Sequence, residues 1–314
     1  MVTVLKGYSQ GTMRHTGLVT YLPLDGKPIR LTLGLRALDP QQWIEVDHHR
    51  ADELCRKLQL LADQHDVVVA TLPEGDAGSR ECWHRLSEHV VTEFPEFYTD
   101  IERDDSGIVA MTDIQTGVRV DIGALHPIDA CGRIVQEDVA VMRKIESKWV
   151  LVAASLCFPS RWKLSEKIGR DLEGIHAPVP DYQDQIGRPV EVMFDKIDVG
   201  RPMWRLNWTL IDDPELHQPV ATGRWEHALA AGSKPDPGQL LHFRVERQTL
   251  TKLPHSGDVV FTIRTYVRPL AELGGPAVFA DLATALRSAG PDLLAYKGWS
   301  PLLGETLAWL DAHA

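Results

Sequence analysis

The sequence predicts an α+β fold, and three observations carry that prediction. Three alternating runs in the last third are not separated by crossover helices, the pattern of an antiparallel sheet. Apolar residues at helical spacing recur before and after those runs. The chain has 314 residues, 44% hydrophobic and 25% charged, the balance of a soluble globular enzyme able to build a core without staples. These proportions exclude disorder, collagen and coiled coil.

Residues 1–106 read as an N-terminal α/β extension packed on the remainder, 107–273 as the core, and 274–314 as a C-terminal helical cap. Pro28–Leu35 (PIRLTLGL) alternates like a strand. Ala51–His65 is a helix leading into VVVATLP. Gly107–Asp121 sets Gly117 between two β-like runs, as in a hairpin. Ala130–Ile145 reads as a helix, and Trp149–Cys157 (WVLVAASLC) as a buried strand or short apolar segment.

Beyond Lys163, the positions Leu164, Ile168, Leu172 and Ile175 trace one face of a helix of about three turns. His176 follows Leu172 by one turn, so its imidazole shares that buried face, and Pro178 and Pro180 end the helix. A second amphipathic segment spans Tyr182–Ile197. The three strands are Met203–Ile211, Leu241–Leu250 and Val259–Val267. Asp212–Gln239, rich in Pro, Gly and acidic residues, reads as an exposed or functional loop. Pro276–Ser288 and Leu302–His313 close the chain as helices.

Lysine and arginine number 33 against 44 acidic residues, a formal charge of −11 that opposes a nucleic-acid partner and leaves a surface suited to a basic one. Cys55, Cys82, Cys131 and Cys157 are too dispersed for a finger or an iron–sulfur cluster. Neither a signal peptide nor a membrane span is apparent, so the cytoplasm is the expected location. GxSxG, Walker A, GxGxxG and HExxH motifs are missing, which argues against a Rossmann dehydrogenase and the common hydrolases. Asp47-His48-His49 with Glu53 has loose metal spacing, but adjacent histidines do not share a helix face, and a solvated helix start fits better.

What remains is a helix-terminal histidine facing a sheet with polar residues at alternate positions. A C-cap explains such a histidine; so does axial ligation of a haem, with arginines and short polar groups above the iron. The phrases LCFPSRWKLSEKIGRDLEGIHAPVPDY (Leu156–Tyr182), RPMWRLNW (Arg201–Trp208), RVERQTLTKLP (Arg244–Pro254) and VVFTIRTYVRPL (Val259–Leu270) resemble the α subunit of haem-dependent oxidative N-demethylases. The similarity covers about Gly107–Leu273.

The resemblance implies a PAS-like fold, a five-stranded antiparallel sheet flanked by helices. It further implies haem b, activation of O2, and demethylation of a small amine with release of formaldehyde. Electrons would come from NADPH through a separate flavin and iron–sulfur reductase protein or subunit; oligomerisation is left open. The resemblance makes His176 the axial metal ligand, with Cys157 the rival and, inside its apolar run, more readily a core residue.

Glu246 is a candidate for binding an ammonium or passing protons, unless it is an ion-pair partner of Arg244 or Arg247. Arg205 and Asn207 lie on the polar side of their strand, and Arg264 and Tyr266 on the corresponding side of theirs. If those sides face the haem, the arginines clamp propionates, while Asn207 and Tyr266 hydrogen-bond oxygen or substrate; strand register decides. Trp208 and Trp204 wall the pocket or fill the core, and Lys167 and Arg161 are further propionate candidates. The competing readings are a haem PAS sensor and a haem-free interaction subunit.

Overall fold

The computed structural model describes residues 3–6 and 19–314. Strands β1 (Thr3–Lys6) and β2 (Val19–Leu22) form a parallel pair. Then come β3 (Arg36–Ala37), α1 (Arg50–Asp63), α2 (His65–Val68), β4 (Val69–Thr71) and α3 (Asp76–Glu93). Strands β5 (Tyr98–Asp104), β6 (Gly107–Asp113) and β7 (Arg119–Asp121) make a small antiparallel sheet, whose first hairpin joins the residues on either side of 106. The Gly107–Asp121 hairpin is present, with Gly117 in the left-handed region at φ +70°.

Helix α4 (Pro127–Ile134) precedes the main sheet, which begins with β8 (Asp138–Ile145) and β9 (Lys148–Ser155). After α5 (Leu172–His176) and α6 (Arg188–Lys196) come β10 (Met203–Ile211), α7 (Arg224–Ala230) and α8 (Pro237–Leu240). Strands β11 (His242–Lys252) and β12 (Val259–Pro269) complete the sheet, and α9 (Pro276–Arg287), α10 (Pro291–Tyr296) and α11 (Leu303–His313) end the chain. The sheet order is β3-β10-β11-β12-β8-β9-β4, antiparallel throughout. Five long strands with helices inserted between the second and third give the α+β architecture expected; short β3 and β4 extend its edges.

Several expectations require correction. Pro28–Leu35 alternates but forms no ladder: it is irregular chain whose half-buried Leu31, Leu33 and Leu35 pack beside the sheet. Ala130–Ile145 is not one helix. The helix stops at Ile134, and the β-branched run around Val139 and Val141 enters the sheet, where burial on both sides suits a strand.

The helix drawn through Leu164–Ile175 is also broken. A 3-10 turn, Leu164–Glu166, is followed by Gly169 at φ +76°, and α5 restarts at Leu172, capped by Asp171 Oδ1 accepting from Gly174 N at 2.8 Å. Asp212–Gln239 carries two short helices rather than being wholly loop.

The two sheet faces are covered differently. One carries α3, α4 and the small sheet around Trp83, Ile128 and Val141, and the C-terminal helices around Phe243, Leu282 and Trp299. The other packs Leu250, Val259 and Ile263 against α5, α6 and the Leu31–Leu35 segment. On this second face several apolar side chains, among them Ile168, Ile175, Val179 and Phe261, remain only half-buried.

Candidate functional site

Strand register brings one polar row together on the second face. Asn207 pairs with Glu246, and Glu246 with Thr265; one step along, Arg205 pairs with Gln248 and Gln248 with Ile263. Because side chains alternate across a sheet, Arg205, Asn207, Glu246, Gln248 and Thr265 all point to the α5 side.

The same alternation sends Arg264, Tyr266, Arg247, Trp204 and Trp208 to the opposite face, which corrects the shared side expected for Arg264 and Tyr266. There Arg264 is bound by Asp47 and Glu53, each at 2.7 Å, and the Tyr266 hydroxyl donates to Glu45 at 2.5 Å. Tyr21 donates to the same carboxylate, and Arg247 pairs with it at 3.1 Å. Asp47 and Glu53 therefore serve Arg264, while His48 and His49 are exposed at the start of α1. Trp208 is stacked between Phe243 and Trp299, both centroids 5.2 Å away, in the core beneath the C-terminal helices. It does not face the α5 side of the sheet.

Glu246 is 7% exposed and accepts hydrogen bonds from Ser160 Oγ, from Asn207 Nδ2 at 3.1 Å and from Gln248 Nε2 at 2.9 Å. Burial raises its carboxyl pKa, but the Arg244 charge and the Ser160 and Asn207 bonds outweigh it, so the group stays ionised below its ordinary range. Neither expected arginine bonds Glu246 directly. Arg244 reaches it through Ser160, donating from Nε at 2.7 Å, and its other nitrogens hold the carbonyls of Phe158, Pro159, Glu215 and Leu216. Thr265 is 2% exposed, and its hydroxyl has no partner among the described residues.

His176 ends α5 as expected. Its Nδ1 lies 2.8 Å from the Leu172 carbonyl, which fixes that nitrogen as the donor and leaves Nε2 with its lone pair. Tyr182 lies flat on the ring, 4.4 Å between centroids and 7° from parallel. Burial, with the nearby charges of Lys167 and Arg205, holds the imidazole below its ordinary pKa and so neutral. Lys167 donates to the Ile175 carbonyl, next to the histidine in the chain.

Cys157 lies elsewhere, in the core under α3 and α4, where burial pushes its thiol up to about 12. A protonated, enclosed thiol is a packing residue rather than a metal ligand.

Sequence reasoning missed Ser160, Gln248, Thr265, Tyr182 and Lys297. The first four lie inside the quoted phrases or strands, and Thr265 was hidden among apolar positions of β12. Lys297 lies beyond the last phrase, and its ammonium reaches back to the Trp208 carbonyl at 3.1 Å.

Together these features define an α+β protein whose sheet turns a buried carboxylate toward the face that carries a short helix ending in one neutral imidazole. The family model for haem-dependent oxidative N-demethylase, alpha subunit-like, matches residues 34–306. The chain belongs to that family.

Proposed function

We propose that this chain is a haem-dependent oxygenase that removes a methyl group from a small methylated amine and releases formaldehyde. The observation carrying this reading is the state of His176. One nitrogen donates to a backbone carbonyl and the other keeps its lone pair, the arrangement that fixes and strengthens a metal-ligating imidazole. The donor set fits haem: His176 for iron, half-buried Ile168, Ile175, Val179 and Phe261 for the apolar ring, and Arg205 for positive charge.

Bound there, haem supplies activation of O2. Two electrons and two protons accompany each O2, converting an N-methyl group to formaldehyde with one water formed. The polypeptide positions the amine and manages protons. Ionised Glu246 attracts an ammonium, with Asn207 and Gln248 holding its carboxylate in place. The Thr265 hydroxyl, beside it in the ladder, is available to hydrogen-bond substrate or oxygen. Tyr266 has no part in this pocket, because its hydroxyl is committed to Glu45.

Electrons come from NADPH through a separate flavin and iron–sulfur reductase. The family's description as an alpha subunit agrees with a multi-protein system. No helix among the described residues is long and apolar enough to cross a membrane.

The test is reconstitution with haem, a reductase or chemical reductant, O2 and a panel of methylamines, with formaldehyde measured. Formaldehyde release from one or more amines is the expected result. A Soret band without formaldehyde from any amine favours a sensor, and folded protein without a Soret band removes the haem reading.

A further inference from the structure

We propose that the cleft bounded by Arg161, Lys163 and Lys297 seats the carboxylate edge of the bound macrocycle, with Lys297 as its inner anchor. This rests on the haem reading above and adds where the cofactor's acidic rim lies. The cleft, of about 430 Å³, is closed by Pro219–Ala221 and Ala295–Gly298. Three cations line it against one carboxylate, Glu166. Arg161 is held by Asp212 at 2.7 Å, whereas Lys163 is exposed.

Lys297 ties this cleft to the sheet. Its ammonium makes one hydrogen bond among the described residues, to Trp208 O, and so keeps donor capacity unused. Glu246 attracts the charge and Arg205 repels it, so the lysine stands beside the same polar row that faces His176. Burial lowers it to about 8. A half-buried ammonium with no carboxylate bonded to it directly among the described residues is stabilised by an arriving one.

Lys167, a candidate from sequence, is the rival seat. It already donates to Ile175 O, one residue from the axial ligand. Iron sits at the centre of the macrocycle and the carboxylates at its rim, so cations holding the rim belong away from the histidine. The Lys297 ammonium bonds the sheet, at the Trp208 carbonyl, and not the segment that carries the histidine.

The experiment titrates wild-type, Lys297→Met and Lys297→Arg proteins with haem and with haem dimethyl ester, following the Soret band, while circular dichroism monitors folding. The expected result is that Lys297→Met loses about tenfold in haem affinity, one charge-assisted hydrogen bond, without changing ester affinity, and that Lys297→Arg restores most of it. Lys167→Met should weaken both porphyrins alike. Equal losses for haem and ester in Lys297→Met, or no loss, overturn the seat and leave the haem reading standing. Failure of folded wild-type protein to bind either porphyrin overturns both.

Discussion

The ring of His176 lies parallel to that of Tyr182, 4.4 Å away, while its Nδ1 donates to Leu172. Two independent contacts thus fix the ring's plane and tautomer. His176→Ala should abolish the native Soret spectrum, and free imidazole added to that variant should restore a six- or five-coordinate band. Tyr182→Phe, which keeps the stack, should leave the spectrum unchanged, whereas Tyr182→Leu should shift the band and the reduction potential. An unaltered spectrum in His176→Ala would falsify the ligand assignment.

Glu246→Gln keeps the shape and removes the charge. Haem-loaded protein should retain its absorbance and lose about a hundredfold in formaldehyde production, the scale of a lost proton-transfer group. Turnover equal to wild type would assign the carboxylate a purely architectural role with Ser160 and Arg244.

Arg264→Met leaves the half-buried carboxylates of Asp47 and Glu53 without their cation. Loss of one partner in such a network costs about 3–5 kcal/mol, readable by urea unfolding. The variant that remains folded should show the wild-type haem spectrum, since Arg264 lies across the sheet from His176. A changed spectrum with unchanged stability would contradict this placement.

Glu137 supplies a pH test. It is fully buried, Oε1 accepts from Glu45 N at 3.0 Å, and Oε2 has no partner among the described residues. Burial raises its pKa from the ordinary carboxyl value of 4.5 to about 6. Between these values the folded chain binds more protons than the unfolded one, so this group's contribution to stability declines as pH rises through that window. Glu137→Gln should therefore gain about 2 kcal/mol near pH 7.5 and almost nothing near pH 4, by denaturant unfolding at each pH.

Much of this arrangement was legible in the residues. The period-two runs located β10, β11 and β12, and the Leu172 to His176 interval placed the imidazole one turn on, at the end of a helix. What periodicity misjudged was continuity: four apolar positions at helical spacing did not reveal that Gly169 interrupts the helix. Nor could alternation within each strand say which faces coincide. Asn207 joined Glu246 and Thr265, whereas Arg264 and Tyr266 went to the acidic network on the far side, because pairing register is a property of two strands together. Lys297 was invisible for another reason: its role depends on chain folding back from α10 onto the edge of β10.

Asn207, Glu246 and Thr265 stand on three adjacent strands, held by the ladder rather than by connecting segments. Exchanging the part of the stretch between β10 and β11 that lies beyond Leu216 should therefore leave this row in place, since the carbonyls of Glu215 and Leu216 that hold Arg244 are kept. On the function proposed above, selectivity and chemistry would then be mechanically separate, and variants seeking a different amine belong at the rim of the cup, with its floor preserved.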